Sequence, residues 1–211
     1  MKALHIVKRD SFGTVKVSAT GTISFAGGNL ADGTTGLSQS SGVSRDGYWP
    51  FYVPLYGGAG SLWGSSYFTN HAIMSAPYLS WINASNESKS AVYRSGFTNQ
   101  QATVMGSFYA ATEKPLLSLT NGQVTLEGGD PFVSIASQIT WGLNNKISIL
   151  DNTSGLTLAI TPATGLISGS FLNRTNAKQT IKFNGVLLQN QTNAAGYFLG
   201  TTNSGLFLLQ P

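Results

Sequence analysis

At 211 residues, with 41% apolar and 11% aromatic but only 9% charged side chains, the chain can bury a sizeable core, which excludes it from the disordered class. With no cysteine, disulfides, zinc–thiolate sites and thiol nucleophiles are excluded as well. The net charge of +4 reflects scarce acids, and the bases are scattered apart from Lys8-Arg9, so no clustered basic face for nucleic acid is present.

Residues 1–11 read as an N-terminal extension. Met1-Lys2-Ala3-Leu4-His5-Ile6-Val7-Lys8 lacks the apolar core and cleavage site of a signal peptide, and no run in the chain is long enough to span a membrane. The chain is expected to be either cytosolic as written or a piece of an exported protein separated from its upstream part.

From there onward, period-2 alternation dominates. Val15, Val17 and Ala19 alternate with Lys16, Ser18 and Thr20, and Ile23 and Phe25 follow Gly21. Gly47-Tyr48-Trp49-Pro50-Phe51 opens an aromatic strand whose Pro50 and Pro54 deny the ladder two donors, which predicts a sheet edge or rim. Ser75 to Ile82 is the best helix candidate, with Pro77 in a first turn. Asn83 to Gln101, rich in Ser, Asn and Gln, reads as a long exposed loop. Beyond it, Val124 and Leu126, then Val133, Ile135, Ile139 and Trp141, then Ile147 and Ile149, Leu156, Leu158 and Ile160, and Ile181 and Phe183 each mark a half-buried strand. Turns are expected at Asp32-Gly33, Asp46-Gly47, Asn121-Gly122, Gly128-Gly129-Asp130-Pro131, Asn144-Asn145, Asn184-Gly185 and Asn203-Ser204-Gly205.

A dozen or more strands with this punctuation predict an all-β, antiparallel, closed or nearly closed barrel, with a β-sandwich as the alternative. A weak internal duplication divides one β domain, 12–211, at about 12–110 and 111–211. Gly21-Thr22-Ile23-Ser24 parallels Gly165-Leu166-Ile167-Ser168, the Gly47 run parallels Gly196-Tyr197-Phe198-Leu199-Gly200, and Gly60-Ser61-Leu62-Trp63 parallels Gly205-Leu206-Phe207-Leu208. Two such halves are expected to close around a shared axis.

Several of these runs, notably Asp46-Gly47-Tyr48-Trp49-Pro50-Phe51-Tyr52-Val53, Asn121-Gly122-Gln123-Val124-Thr125-Leu126 and Phe183-Asn184-Gly185-Val186-Leu187-Leu188-Gln189 through Thr201, carry a family resemblance. Over residues 12–211 the chain resembles an uncharacterised C-terminal module of large exported proteins of verrucomicrobial-type bacteria, which follows immunoglobulin-like and other adhesive domains. The resemblance implies an extracellular or cell-surface location as part of a larger protein, and it supplies no catalytic residues.

The chemistry legible in the residues is sparse. A serine hydrolase would have to use His71 as base with Asp46 or Asp130 as orienter, yet no Gly-x-Ser-x-Gly elbow occurs. Glu127 and Asp130 are the closest carboxylates that could serve as a glycosidase pair, but they flank a Gly-Gly turn. Asp32, Asp130 and Asp151 could offer oxygens to calcium, though no calcium-loop spacing is present. No cofactor or metal is expected. The aromatics are the richest feature: Tyr48, Trp49, Tyr52, Trp63 and Trp81 are the candidate ligand-binding residues, with Tyr48 and Tyr52 on one face of their strand and Trp49 and Phe51 on the other. The expected function is a non-catalytic adhesive or binding module, carbohydrate-facing, whose partner is a glycan or cell-surface matrix. The alternatives are an esterase or lactonase using His71 and a carrier of a small apolar ligand in a barrel lumen.

Overall fold

Alternating residues give each strand one buried face, and the Gly- and Asn-rich turns reverse the chain between strands. The computed structural model describes residues 2–7, 10–69, 72–84, 92–130, 132–173 and 176–211. Among the described residues there are sixteen strands, two short 3-10 turns and no α-helix. The first eight strands are β1 (Lys2–Val7), β2 (Ser11–Val17), β3 (Thr22–Asn29), β4 (Leu37–Gly42), β5 (Tyr48–Leu55), β6 (Gly60–Phe68), β7 (Ala72–Asn83) and β8 (Phe97–Phe108). The second eight are β9 (Asn121–Gly128), β10 (Val133–Trp141), β11 (Ile147–Ile149), β12 (Thr157–Thr161), β13 (Leu166–Asn173), β14 (Asn176–Leu188), β15 (Asn193–Leu199) and β16 (Ser204–Gln210).

Each set of eight forms its own antiparallel sheet, in the spatial orders β4-β3-β2-β1-β8-β7-β6-β5 and β11-β10-β9-β16-β15-β14-β13-β12. Consecutive strands pair as a meander, and in both sheets the first strand also pairs with the eighth, Ala3 opposite Ser107 and Leu126 opposite Phe207. The fold is therefore all-β with nearly closed, barrel-shaped antiparallel sheets, each interrupted at one seam. Where the sequence suggested two halves closing around a shared axis, each half closes on itself. Both halves are eight-stranded meanders whose first and last strands pair, but the seam follows the fourth strand of the first and the third strand of the second. The short motif pairs lie ten strands apart, at the starts of β3 and β13 and of β6 and β16, and at the start of β5 and the middle of β15, so they do not mark equivalent strands of the two meanders.

The two seams differ. β5 is the edge strand of its sheet, as Pro50 and Pro54 predicted. Side chains of β4 bridge to it: Gln39 and Ser41 both donate to the Pro50 carbonyl, each at 3.3 Å, and the Trp49 indole donates to Gln39 Oε1 at 3.1 Å. At the other seam β11 and β12 are only three and five residues long. There Ile147, Ile149, Leu158 and Ile160 stay half-buried against the second core.

Phe25, Trp49, Phe51, Leu62 and Trp81 fill the first sheet, and Leu126, Phe171, Phe183, Phe198 and Phe207 fill the second. Leu116, Leu117 and Leu119, from the segment joining the halves, belong to the second core. A third cluster holds the halves together, with Phe12 and Ala31 packed against Val186, Leu188 and Tyr197. Polar contacts reinforce it. Gln189 accepts from the Ala110 N–H at 2.7 Å and donates back to the Ala110 carbonyl at 3.2 Å. The Tyr93 hydroxyl lies 2.6 Å from that of Ser204 and accepts from the Ser204 N–H at 3.0 Å.

Four sequence expectations change. Residues 2–7, read as part of an extension, form β1, the strand that closes the first sheet. The helix candidate Ser75–Ile82 lies inside β7, where Pro77 falls in a register shift between Met74 and Leu79 that tolerates its missing donor. The loop Asn83–Gln101 shortens, because Asn83 ends β7 and Phe97 begins β8; residues 85–91 of it lie outside the described residues. Asn121-Gly122 opens β9, and Asn184-Gly185 lies within β14. Gly185 stands opposite Gly196, and a Cβ there would come within 2.4 Å of the Ala195 carbonyl oxygen. Close backbone approach, not a turn, requires that glycine.

Candidate functional site

The alternation of β5 decides which aromatics can meet a ligand. Trp49, Phe51, Val53 and Leu55 point inward, and Tyr48, Pro50, Tyr52 and Pro54 point outward. Trp49 and Trp81 are fully buried, so two of the five proposed binding residues are core residues: their rings pack edge-on against Phe51 and Phe97 respectively. Tyr48, Tyr52 and Trp63 are exposed, at 49%, 58% and 49%.

These three belong to an outer face built by cross-strand pairing. Tyr52 stands directly opposite Trp63, and Tyr48 opposite Tyr67 with ring centroids 6.2 Å apart. The row continues across β7 and β8, since Tyr67 pairs with Met74 and Met74 with Met105. The Tyr67 hydroxyl donates to the Met74 sulfur at 3.5 Å, and both methionines are exposed. Along β5, Tyr48 and Tyr52 are about 13 Å apart by strand rise. Beside Trp63 a shallow hollow of about 360 Å³ is lined by Gly64, Ser65, Pro77, Tyr78 and Ser80. The face carries no formal charge from β5 to β7, because no Asp, Glu, Lys or Arg occurs between Asp46 and Glu87. That forty-residue gap was readable in the sequence and is the signal that sets this face apart; Tyr67, Tyr78, Met74 and Met105 join the named aromatics only through the register.

A buried polar chain runs beneath the end of β5. Trp81 Nε1 donates to the Tyr56 hydroxyl at 3.0 Å, which donates to Asp32 Oδ2 at 2.6 Å; the Thr34 N–H donates to Asp32 Oδ1 at 2.8 Å. Asp32, at the expected Asp32-Gly33 turn, is fully buried.

A second concavity, of about 450 Å³, lies between the β3–β4 connection and the outer face of β14 and β15. Asn29, Lys182, Asn184, Tyr197 and Leu199 are among its lining residues. Asn184 stands directly opposite Tyr197 across the ladder. Burial pushes the Tyr197 phenol well above its ordinary range, and the nearby Asp32 carboxylate adds to the shift. Sequence reasoning missed this site because Asn184 read as a turn residue and Tyr197 as a repeat marker.

The described acid–base candidates sit at the surface. Asp46, Glu127 and Asp130 are exposed; Asp130 accepts from the Thr202 hydroxyl at 2.7 Å. Asp151 is exposed as well, and no group of His, Asp and Glu that could hold a metal ion occurs among the described residues. His71, the proposed base, lies outside the described residues. Among the described residues, no helix is long and apolar enough to cross a membrane. Compared with family models, curated proteins and solved structures, the chain matches none.

Proposed function

We propose that this chain is a non-catalytic binding module of an exported bacterial protein, and that it holds a glycan on the outer face of β5 to β7. The observation that carries the reading is the Tyr52–Trp63 pair: two large rings directly opposed, each about half exposed, on a face with no formal charge. Leaving such rings in water is unfavourable, and the C–H faces of sugars are suited to cover them while Ser65 and Ser80 offer hydroxyls to sugar oxygens. The low charge and Ser/Thr/Asn-rich surface fit an extracellular adhesive setting, as does the resemblance to C-terminal modules of large exported proteins. The lumen-carrier reading has less support, because core side chains occupy both interiors.

The test is retention on insoluble polysaccharides and on bacterial cell-wall material. Native protein is expected to be retained, and Tyr52→Ala and Trp63→Ala are expected to lose most of that retention while keeping the native melting temperature. Retention unchanged in both variants would remove this face from the proposal.

A further inference from the structure

We infer that the cleft between the β3–β4 connection and the outer face of β14–β15 is a second sugar-binding site, taking a short neutral oligosaccharide or a chain end. Tyr197 carries the argument. Its side chain is 95% buried (5% exposed), it lines the cleft, and its hydroxyl makes no hydrogen bond to any described residue. The hydroxyl is not one of the buried polar atoms left unpaired, so it touches solvent in the cleft, where a ligand hydroxyl can replace water as its partner. Because burial and Asp32 keep the phenol protonated, that donor persists across the ordinary pH range.

The surroundings specify the chemistry. Asn184 stands opposite Tyr197 on the same outer face, with Lys182 two residues before it on the same strand. Asn29 already donates to the Gly27 carbonyl at 2.6 Å, which leaves its amide oxygen facing the task of acceptor. Lys182 and Asp130 offset one another in charge, and the Asp130 carboxylate is held by Thr202. Amides, hydroxyls and two opposite charges suit a ligand with many hydroxyl groups and no net charge, and the exposed Leu199 offers a ring face something apolar to rest on. The volume of about 450 Å³ fits a short piece of glycan, whereas the Tyr52–Trp63 face is open at both ends and suits a continuous polymer. The cleft rests on the same reading of ligand class as the proposed function but shares no residue with that face.

The experiment is an amide NMR titration of the full chain with cellotriose, xylotriose and chitotriose, beside polysaccharide retention. At least one trisaccharide is expected to shift the Asn184, Leu199, Gly200 and Thr201 amides. Tyr197→Phe, which keeps the ring and removes one hydrogen bond, is expected to weaken that binding about three- to tenfold. Asn184→Ala, an exposed substitution, is expected to weaken it similarly, and Trp63→Ala to leave it unchanged. The inference is overturned if no trisaccharide binds, if shifts appear only around Tyr52 and Trp63, or if both Tyr197→Phe and Asn184→Ala bind as the native chain does. Trisaccharide binding at the cleft with polymer retention indifferent to Tyr52 and Trp63 would sink the platform and leave the cleft standing.

Discussion

The Tyr56 hydroxyl donates to the buried Asp32 carboxylate at 2.6 Å while accepting from the Trp81 indole at 3.0 Å. One phenol thereby ties the β3–β4 connection to the centre of the first core. Tyr56→Phe keeps the ring but leaves the Trp81 N–H without this acceptor and removes a donor from Asp32. The expected loss is about 1–3 kcal/mol of stability, read from urea denaturation, because an unmet buried polar group costs its full desolvation. A variant as stable as the native chain would show that the chain of bonds is incidental.

Tyrosine ionisation supplies a pH prediction. The Tyr197 phenol is raised in the folded protein, chiefly by burial, and Tyr109 is raised for the same first reason. Above the ordinary phenol range, near pH 10, the unfolded chain loses these protons while the folded chain keeps them. The unfolded state then binds fewer protons, so stability falls as pH rises. The contribution is fully present below pH about 10 and lost progressively above it. Denaturation midpoints measured across that range are expected to drop, and Tyr197→Phe to flatten the drop.

The tryptophans separate core from surface. Trp49→Ala and Trp81→Ala are each expected to cost about 3–5 kcal/mol. Trp63→Ala, on the outer face, is expected to stay within about 0.5 kcal/mol of the native chain. Guanidinium unfolding of the three variants checks this, and a severe loss at Trp63 would mean its exposure misrepresents its packing.

Each half owns a complete eight-stranded sheet with its own core. A fragment spanning 111–211 is therefore expected to unfold cooperatively, with lower stability because Val186, Leu188 and Tyr197 lose Phe12 and Ala31. A denaturant titration that shows no cooperative transition would make the junction essential to folding.

The β class, the two-faced alternation of β5 and its edge position were legible in the sequence, because strand alternation and the two prolines act locally. Alternation likewise separated Tyr48 and Tyr52 from Trp49, since neighbours on a strand must face opposite ways. The partner strand of each was not legible. Pairing β1 with β8 and β9 with β16 depends on which edges meet after both meanders have curled, and no local residue pattern encodes that. For the same reason Asn184-Gly185 looked like a hairpin turn: only the crowding against Gly196 on a neighbouring strand reveals why the glycine is there. Trp63 could be assigned to the outer face, and Trp81 to the core, only once the register was known. The Tyr197 cleft exists because two separately closed sheets pack together through Phe12, and that meeting is a property of the tertiary structure alone.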